Sequence, residues 1–401
     1  MDNSLLKIQQ DSESKIRSLF LSNKLKLPKA KYRNYIIHSK YLSEYSLQDK
    51  IILAKLRIKE FLDMLPNQDV VISFSGGKDS CVLKDLVWKV QDDFGLKKSK
   101  LLIGAEVFHP ETAKFINSLP KNMYEILKPI KTFIQVIKEN GYPIISKQIA
   151  QKIHHIRNTH NHSKYIRAIF GLDGNKYGTL PLKYIHFLDK KLVNYEVSHK
   201  CCDYIKGNVK HDKRPTFIGT TINESRLRRN SWLQYGCIHY DRTNKHDICK
   251  PLSLFSEKDI WEYVKTMKLK LSEIYKLGYL RSGCICCGFG MSLEEELKRH
   301  NKLVNNRFEL LYKTNIKAFN YFFNKLKMWM PLADMNVSLN INDKRITSKF
   351  NKRKITILKW YRNINKNLKD ILNEIEQRNP HCWNKREKQW ILNKYSKALR
   401  I

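Results

Sequence analysis

The segment that most constrains this chain is Ser75-Gly76-Gly77-Lys78-Asp79-Ser80, read together with its flanks. Val70–Phe74 before it is a short apolar, β-branched run suited to a buried parallel strand. After it, Val82, Leu83, Leu86, Val87 and Val90 recur at helical spacing along one face. Two glycines let the backbone adopt unusual dihedrals and approach an anion closely. The amides of such a loop and of the helix end behind it point at that anion, aided by the helix dipole. Lys78 adds a positive charge, and Ser75 and Ser80 add hydroxyls. The Walker A pattern GxxxxGK[ST] is not met. The plain alternative is an ordinary strand-to-helix turn.

The rest of the chain supplies the elements such a loop needs. Leu101–Phe108, Tyr124–Ile130 and Pro215–Thr220 read as further strands, with helix starts between them. Strands alternating with helices predict a doubly wound, Rossmann-like parallel sheet over about residues 45–255, with the loop at the carboxyl end of its first strand. Ile51–Leu65 predicts an amphipathic helix, ended by Pro66 and Asn67. Ser256 and Asp259 form a capping box ahead of Ile260, Trp261, Val264 and Met267. Three regions follow: a helical segment 1–65, a loop-bearing domain 66–315, and a basic helical appendage 316–401.

Composition narrows the class. A 401-residue chain that is 42% hydrophobic can fill a core, which excludes global disorder. No apolar run nears the roughly 20 residues of a membrane span. The opening MDNSLLKIQQDSESK lacks a secretory signal, so a cytoplasmic location, with thiols rather than disulfides, is expected. The 75 basic against 38 acidic residues, a formal +37, would draw a polyanion such as nucleic acid. AT-biased coding, which enriches Lys, Asn and Ile together, would produce the same excess without any partner. Residues 341–401 carry 17 Lys/Arg against 5 Asp/Glu, with Trp360, Tyr361, Trp383, Trp390 and Tyr395 interspersed. Those aromatics serve either base stacking or a helical core.

Cys201-Cys202, then 81 residues, then Cys284-Ile285-Cys286-Cys287 is the most specific metal-like spacing. A CxxC turn supplies two thiolates at one corner, as iron–sulfur clusters need. A tetrahedral zinc site is the rival, and buried reduced thiols the plain alternative. The plain reading suits the scattered Cys81 and Cys249. Arg226, Arg228 and Arg229 follow the strand ending at Gly219, on the edge where parallel sheets bind ligands. They suit phosphate or sulfate oxygens, or else form a solvated basic helix face. His154, His155, His160 and His162 form no tidy ligand set and read as a polar helix-to-loop segment.

These blocks resemble the phosphoadenosine phosphosulfate reductase family of the PP-loop ATP pyrophosphatase (adenine nucleotide alpha hydrolase-like) superfamily. Ser75–Ser80 resembles its pyrophosphate loop, and Phe108-His109-Pro110-Glu111-Thr112 its F-P-E-T segment. Gly219–Arg229 resembles its G-x-R-x-x-E-S-x-x-R segment, with Thr221 where an Arg often stands. Pro251-Leu252, Asp259–Tyr263, Gly278-Tyr279 and Gly283-Cys284 resemble its later blocks, and Lys147-Gln148 a segment near the nucleotide phosphates. The likeness covers about residues 45–315 and is strongest to reductase-like proteins of phages and mobile elements.

The resemblance implies an adenine nucleotide, ATP or of adenylylsulfate type, held by Ser75, Gly76, Gly77, Lys78, Asp79, Ser80, Glu111, Gly219 and Arg228, with magnesium as a further candidate. It implies catalytic roles for Lys78, Asp79, Arg226 and Arg229. It implies a [4Fe–4S] cluster on Cys201, Cys202, Cys284 and Cys287, with Cys237 as a substitute ligand. The ligands would meet within one βα layer, through the strand at Pro215–Thr220 and the helix at Ser256–Met267. One departure stands out: the C-terminal E-C-G-L-H segment that carries the reductases' nucleophile is missing, and the last cysteine is Cys382 in NPHCWNK. Without it, adenylation and sulfur transfer, to a nucleic acid or small molecule, is expected ahead of reduction to sulfite. A non-catalytic nucleotide-sensing regulator is the alternative from another class. A sulfur donor or thiol reductant protein and a second copy of the chain are further candidate partners, and no membrane association is expected.

Overall fold

The computed structural model describes residues 34–35, 45–104, 107–173, 178–206, 212–240, 247–285 and 287–397. The chain forms two compact units. The first takes the described residues up to Pro129, with Lys206–Lys276 and Leu280–Gly283; the second takes Ile130–Ile205, Leu277–Tyr279 and the described residues from Cys284 onward. The units are interleaved along the chain, whereas the sequence reading set its boundaries at 65 and 315.

A six-stranded sheet organises the first unit. Its strands are β1 (Val71–Ser73), β2 (Leu101–Gly104), β3 (Tyr124–Leu127), β5 (Thr216–Ile218), β6 (Ile238–His239) and β7 (Ile248–Cys249). The order is β3-β2-β1-β5-β7-β6, parallel throughout except for β6, which runs antiparallel to β7. β1 lies centrally, with Ile72 opposite both Leu101 and Phe217. From β1 the chain winds outward through β2 and β3, then returns to β5 on the other side. In such sheets the point of that reversal, here the carboxyl ends of β1 and β5, is the usual ligand position.

Helices flank this sheet where the apolar periodicity asks for them. Leu47–Asp63, closed by the Ser46–Asp49 capping box, buries Ile51, Ala54, Ile58 and Phe61. The Phe61 ring meets Phe217 of β5 edge-on at 5.1 Å. Lys78–Asp93 buries Val82, Leu83, Leu86, Val87 and Val90, the face read from spacing. Glu257–Thr266 starts at the expected Ser256–Asp259 box. The Lys50 ammonium bonds Asp259 at 2.7 Å in the buried interior between these helices, and the Tyr263 hydroxyl donates to Asp85 at 2.7 Å.

The second unit is mostly helical around a small parallel pair, β4 (Ile144–Ile145) and β8 (Gly288–Phe289). Its C-terminal helices, Lys344–Arg362, Ile364–Arg378 and Lys385–Lys397, are built into it rather than appended. Trp360 Nε1 donates to Asp189 at 2.7 Å, the Tyr395 hydroxyl donates to the Leu180 carbonyl at 2.9 Å, and Arg167 forks onto Glu387. Trp360, Trp383 and Tyr395 are buried, so for them the core reading of the C-terminal aromatics is correct; Trp390 is 45% exposed. Among the described residues, no helix is long and apolar enough to cross a membrane.

Candidate functional site

The glycine loop sits at the carboxyl end of β1, and most of its geometry follows from local sequence. Gly76 takes a left-handed φ of +72°, where a Cβ would also press to 3.0 Å from Thr112 Cγ2. Gly77 caps the following helix; a Cβ there would lie 2.6 Å from Ser282 Oγ. Gly219, at the end of β5, faces the Asp79 carbonyl oxygen, 3.1 Å from where a Cβ would stand. Each glycine therefore answers a separate steric demand, and together they hold β1, β5 and the loop helix close.

The side chains stitch the loop. The Ser80 hydroxyl donates to the Gly77 carbonyl at 2.8 Å and accepts from the Ser75 amide at 3.3 Å. Its proton is thus engaged within the loop, whereas the sequence reading offered it to an anion. The Gly77 amide reaches Ser75 Oγ at 3.4 Å. The Lys78 amide donates to the Tyr275 hydroxyl at 2.8 Å. Among the described residues, the amides of Gly76, Asp79 and Ser80 donate to no protein group. They are unsatisfied donors at the positive end of a 16-residue helix, where an anion is favoured.

Charge gathers round these amides. Lys78 is buried, its ammonium 3.2 Å from Asp79 and 3.6 Å from Glu257, with the Trp261 ring centroid 5.9 Å away. Trp261 in turn meets Tyr275 edge-on at 5.3 Å. Arg228, on the helix Arg226–Tyr235, pairs with Glu224. Partial desolvation pulls the Arg228 pKa down, Asp79 pushes it up and Arg281 lowers it again, which places one carboxylate and a second guanidinium in its field. Arg229 is exposed, and the side chain of Arg226 lies outside the described residues. Glu111 stands half-buried in the first turn of Pro110–Asn117, the helix that brings Thr112 against Gly76. Tyr275, Ser282, Glu257 and Arg281 were missed in the sequence. Their only signal was proximity to the Asp259–Tyr263 and Gly278–Cys284 blocks, none of which marks a phenol or a hydroxyl for the loop.

The four expected cysteine ligands all belong to the second unit, whereas the strand at Thr216–Ile218 and the helix at Glu257–Thr266 belong to the first. The expectation that the cysteines gather in one βα layer of the nucleotide sheet is therefore corrected. What links their segments is the small sheet. Cys287 immediately precedes β8, and β8 pairs with β4, which leads into Lys147. The Lys147 ammonium bonds Asp203 at 3.0 Å, next to Cys202 on the short helix Cys201–Ile205. Lys147 thus joins the segment after β4 to the one that carries Cys202; the structure gives its neighbour Gln148 no partner among the described residues.

Cys201 is buried; Cys202, Cys284 and Cys287 are half-buried. The Cys287 amide donates to the Cys284 carbonyl at 3.1 Å, closing the turn between them. Arg307 donates to the Cys287 carbonyl at 3.1 Å and pairs with buried Glu294 at 2.5 Å. Burial pulls the Arg307 pKa down, but Glu294 and the nearby Cys287 and Cys284 outweigh it and leave it raised. A fixed cation therefore stands beside the turn that carries Cys284 and Cys287. Among the described residues, no group of three or more His, Cys, Asp or Glu side chains is arranged to hold a metal ion; Cys286 lies outside them.

The remaining cysteines stand apart. Cys237 belongs to the first unit, where its sulfur accepts from Trp232 Nε1 at 3.3 Å and burial pushes its pKa up. The other four belong to the second unit. Burial pushes Cys81 up to about 12 and Cys382 up to about 11. His154, His155 and His199 have ring centroids 5.9–6.1 Å apart, all with pKa lowered by burial, whereas His162 turns to Asn379 through its amide.

The chain is similar to several known proteins. An uncharacterized protein of Methanocaldococcus jannaschii is 21% identical over 297 residues, 72% of this chain and 57% of that protein. The chain thus spans little more than half the length of that relative. Among solved structures, a phosphoadenylyl-sulfate reductase from Candida auris in a phosphate complex aligns at 12% identity and a TM-score of 0.33, over 65% of this chain and 96% of its own. An FMN adenylyltransferase from Candida glabrata in complex with ATP aligns at 13% identity and a TM-score of 0.29, over 62% of this chain and 68% of its own. The family model for the phosphoadenosine phosphosulfate reductase domain matches residues 69–288, more than half of the chain and the whole stretch from β1 to the cysteine turn. The chain belongs to the phosphoadenosine phosphosulfate reductase family.

Proposed function

We propose that the chain is a PP-loop enzyme that binds ATP or an adenylylsulfate-type nucleotide at Ser75–Ser80 and uses it for adenylation and sulfur transfer. The observation that carries this reading is the trio of unsatisfied amides at Gly76, Asp79 and Ser80, set beside the buried Lys78 ammonium. A phosphate chain satisfies all of them at once. In the thiolation reading, an oxygen of the acceptor attacks the α-phosphorus of ATP, the α–β bond breaks and pyrophosphate leaves. A sulfur nucleophile from a donor then attacks the activated carbon, and AMP leaves with the oxygen. Lys78 neutralises the departing phosphates, with Arg228 and Arg229 available to the same end and Arg226 on the same helix; Asp79 orients Lys78.

The burial of Cys382 supports transfer over reduction. The thiol that ends the chain's cysteine series is fully covered and its pKa is raised, so it supplies no thiolate to attack a sulfonyl sulfur. A reductase reaction would need a thiol from another protein. The donor chemistry of Cys201, Cys202, Cys284 and Cys287 fits a [4Fe–4S] cluster, or zinc as the rival, and the β4–β8 pairing and the Lys147–Asp203 bond support their convergence. A cluster held there would supply a binding point for sulfur, whereas zinc would serve as staple or Lewis acid. Calorimetric titration with ATP and with adenylylsulfate, on wild type and Lys78→Ala, tests the site, alongside an assay for released pyrophosphate and AMP. The expected result is about tenfold or greater loss of affinity in Lys78→Ala with an unchanged melting profile. Equal affinity overturns the loop assignment.

A further inference from the structure

The helix Lys344–Arg362 carries eight basic residues and no acidic one. Ordinary solvated helices alternate the two signs, as Leu47–Asp63 does with its Arg57–Glu60 and Lys59–Asp63 pairs. In Lys344–Arg362, Arg353 pairs with Asp334 at 2.6 Å, Lys349 lies over the Trp329 ring, and Lys354 lies over the Phe350 ring with Glu295 in its field. Lys344, Arg345, Lys352, Lys359 and Arg362 are exposed, and among the described residues no carboxylate pairs with them. At about 100° per residue these five fall within an arc of about 100°. Ile346, Phe350, Ile357 and Trp360, which are buried, mark the roughly opposite side. Lys344 and Arg345 also occupy the first turn, where the helix dipole disfavours cations. The stripe runs for about 27 Å, about eight base-pair steps of a duplex.

We infer that this stripe is a docking surface for the phosphate backbone of double-stranded nucleic acid, bound without regard to sequence. Charge complementarity selects the occupant: five unpaired cations on a straight rod match an evenly spaced row of phosphates. The burial of Trp360, Trp383 and Tyr395 removes three of the aromatics that single-strand binding would stack on bases. A membrane surface fits less well, because the helix turns its main apolar face into the protein and shows only Ile355 and Leu358 outward. Contacts to phosphate position a protein and carry no base information.

This inference rests on the nucleic-acid branch of the proposed function, and names where that partner docks. The test is fluorescence anisotropy of the full chain on two duplexes of unrelated sequence, across a salt titration and without nucleotide. Lys352→Ala/Lys359→Ala/Arg362→Ala should make the log–log salt slope shallower by about 2.7 and weaken both duplexes equally. The charge-keeping Lys352→Arg/Lys359→Arg/Arg362→Lys should retain wild-type binding, which separates charge from folding. Lys265→Ala/Lys268→Ala/Lys270→Ala removes as much charge elsewhere and should leave the slope unchanged. An equal loss in that control, or wild-type binding to phosphatidylglycerol vesicles but not to either duplex, overturns the inference. Because no nucleotide is present, its failure leaves the Ser75–Ser80 site standing, and a failed Lys78→Ala titration leaves this surface standing.

Discussion

The glycine loop and the cysteine corner answer to different builders. The loop is closed by its own backbone, by Ser75 and Ser80, and by Tyr275 pressing on the Lys78 amide, so its donors point outward with no ligand present. The cysteine corner has its segments brought near by β4, β8 and Lys147, yet its side chains form no ready cage among the described residues. Backbone donors are positioned by folding itself. Thiols from distant segments repel as thiolates and converge only when a cation repays that cost.

The largest effect should fall on the corner. Anaerobically reconstituted protein is expected to hold about four iron per chain, and Cys284→Ser or Cys287→Ser to lose nearly all of it. Cys237→Ser and Cys382→Ser should retain it. Metal analysis that finds zinc in one equivalent and no iron turns the corner into a zinc site; no metal at all breaks the contrast outright.

Next comes the loop's steric seal. Gly77→Ala puts a methyl 2.6 Å from Ser282 Oγ, with Ser75 and Tyr275 also close, while Gly283 has nothing within 4 Å of its position. Gly77→Ala should cost about thirtyfold in nucleotide affinity, about 2 kcal/mol, and Gly283→Ala close to none. Similar titration curves for the two would mean that the loop is not held by that packing.

A third effect concerns the frame behind the loop. Lys50→Met leaves Asp259 charged and buried without its partner, which should cost about 3 kcal/mol by urea denaturation. The double variant Lys50→Met/Asp259→Leu should recover much of the loss. If it recovers none, the pair is not what joins the helices.

The smallest effect is in pH, and it should have opposite signs in the two units. Burial raises the Asp259 pKa, but Lys50 and Ser256 outweigh it and leave it below the ordinary carboxylate value. Its stabilising contribution is full above the unfolded-state pKa and is lost as pH falls through the lower, folded value. At Asp334, burial wins over Arg353 and Tyr195 and the pKa rises. Between the unfolded and raised folded values the folded chain keeps a proton the unfolded chain releases, so this group's contribution declines as pH climbs. Urea midpoints of Asp259→Asn and Asp334→Asn across mild acid should diverge from wild type in opposite directions; parallel shifts would deny the difference.

What the sequence disclosed was mostly local. Val70–Phe74, the two glycines and the apolar face of Lys78–Asp93 lie within one continuous stretch, and so does the Ser256–Asp259 cap. β6 and β7 have two residues each, and β4 with β8 no more, too short for any alternation to register. Tyr275 reaches Lys78 across 197 positions, a contact no window of sequence contains. The C-terminal aromatics divide between two uses: Trp360 and Tyr395 are each buried on their own helix, while Trp390 on the same helix as Tyr395 faces outward.

The interleaved order of the two units also sets a timetable for synthesis. The nucleotide-loop unit has all its parts once Gly283 has left the ribosome, but the stretch Ile130–Ile205 must wait for the residues from Cys284 onward. At bacterial-to-eukaryotic elongation rates that delay is about 6 to 24 seconds. Throughout it, Ile153, Ile156, Ile166, Phe170 and Phe187 are without the C-terminal helices that complete their unit. A nascent chain arrested after residue 283 should therefore engage chaperones through that excursion, while the unit it interrupts already has all its parts.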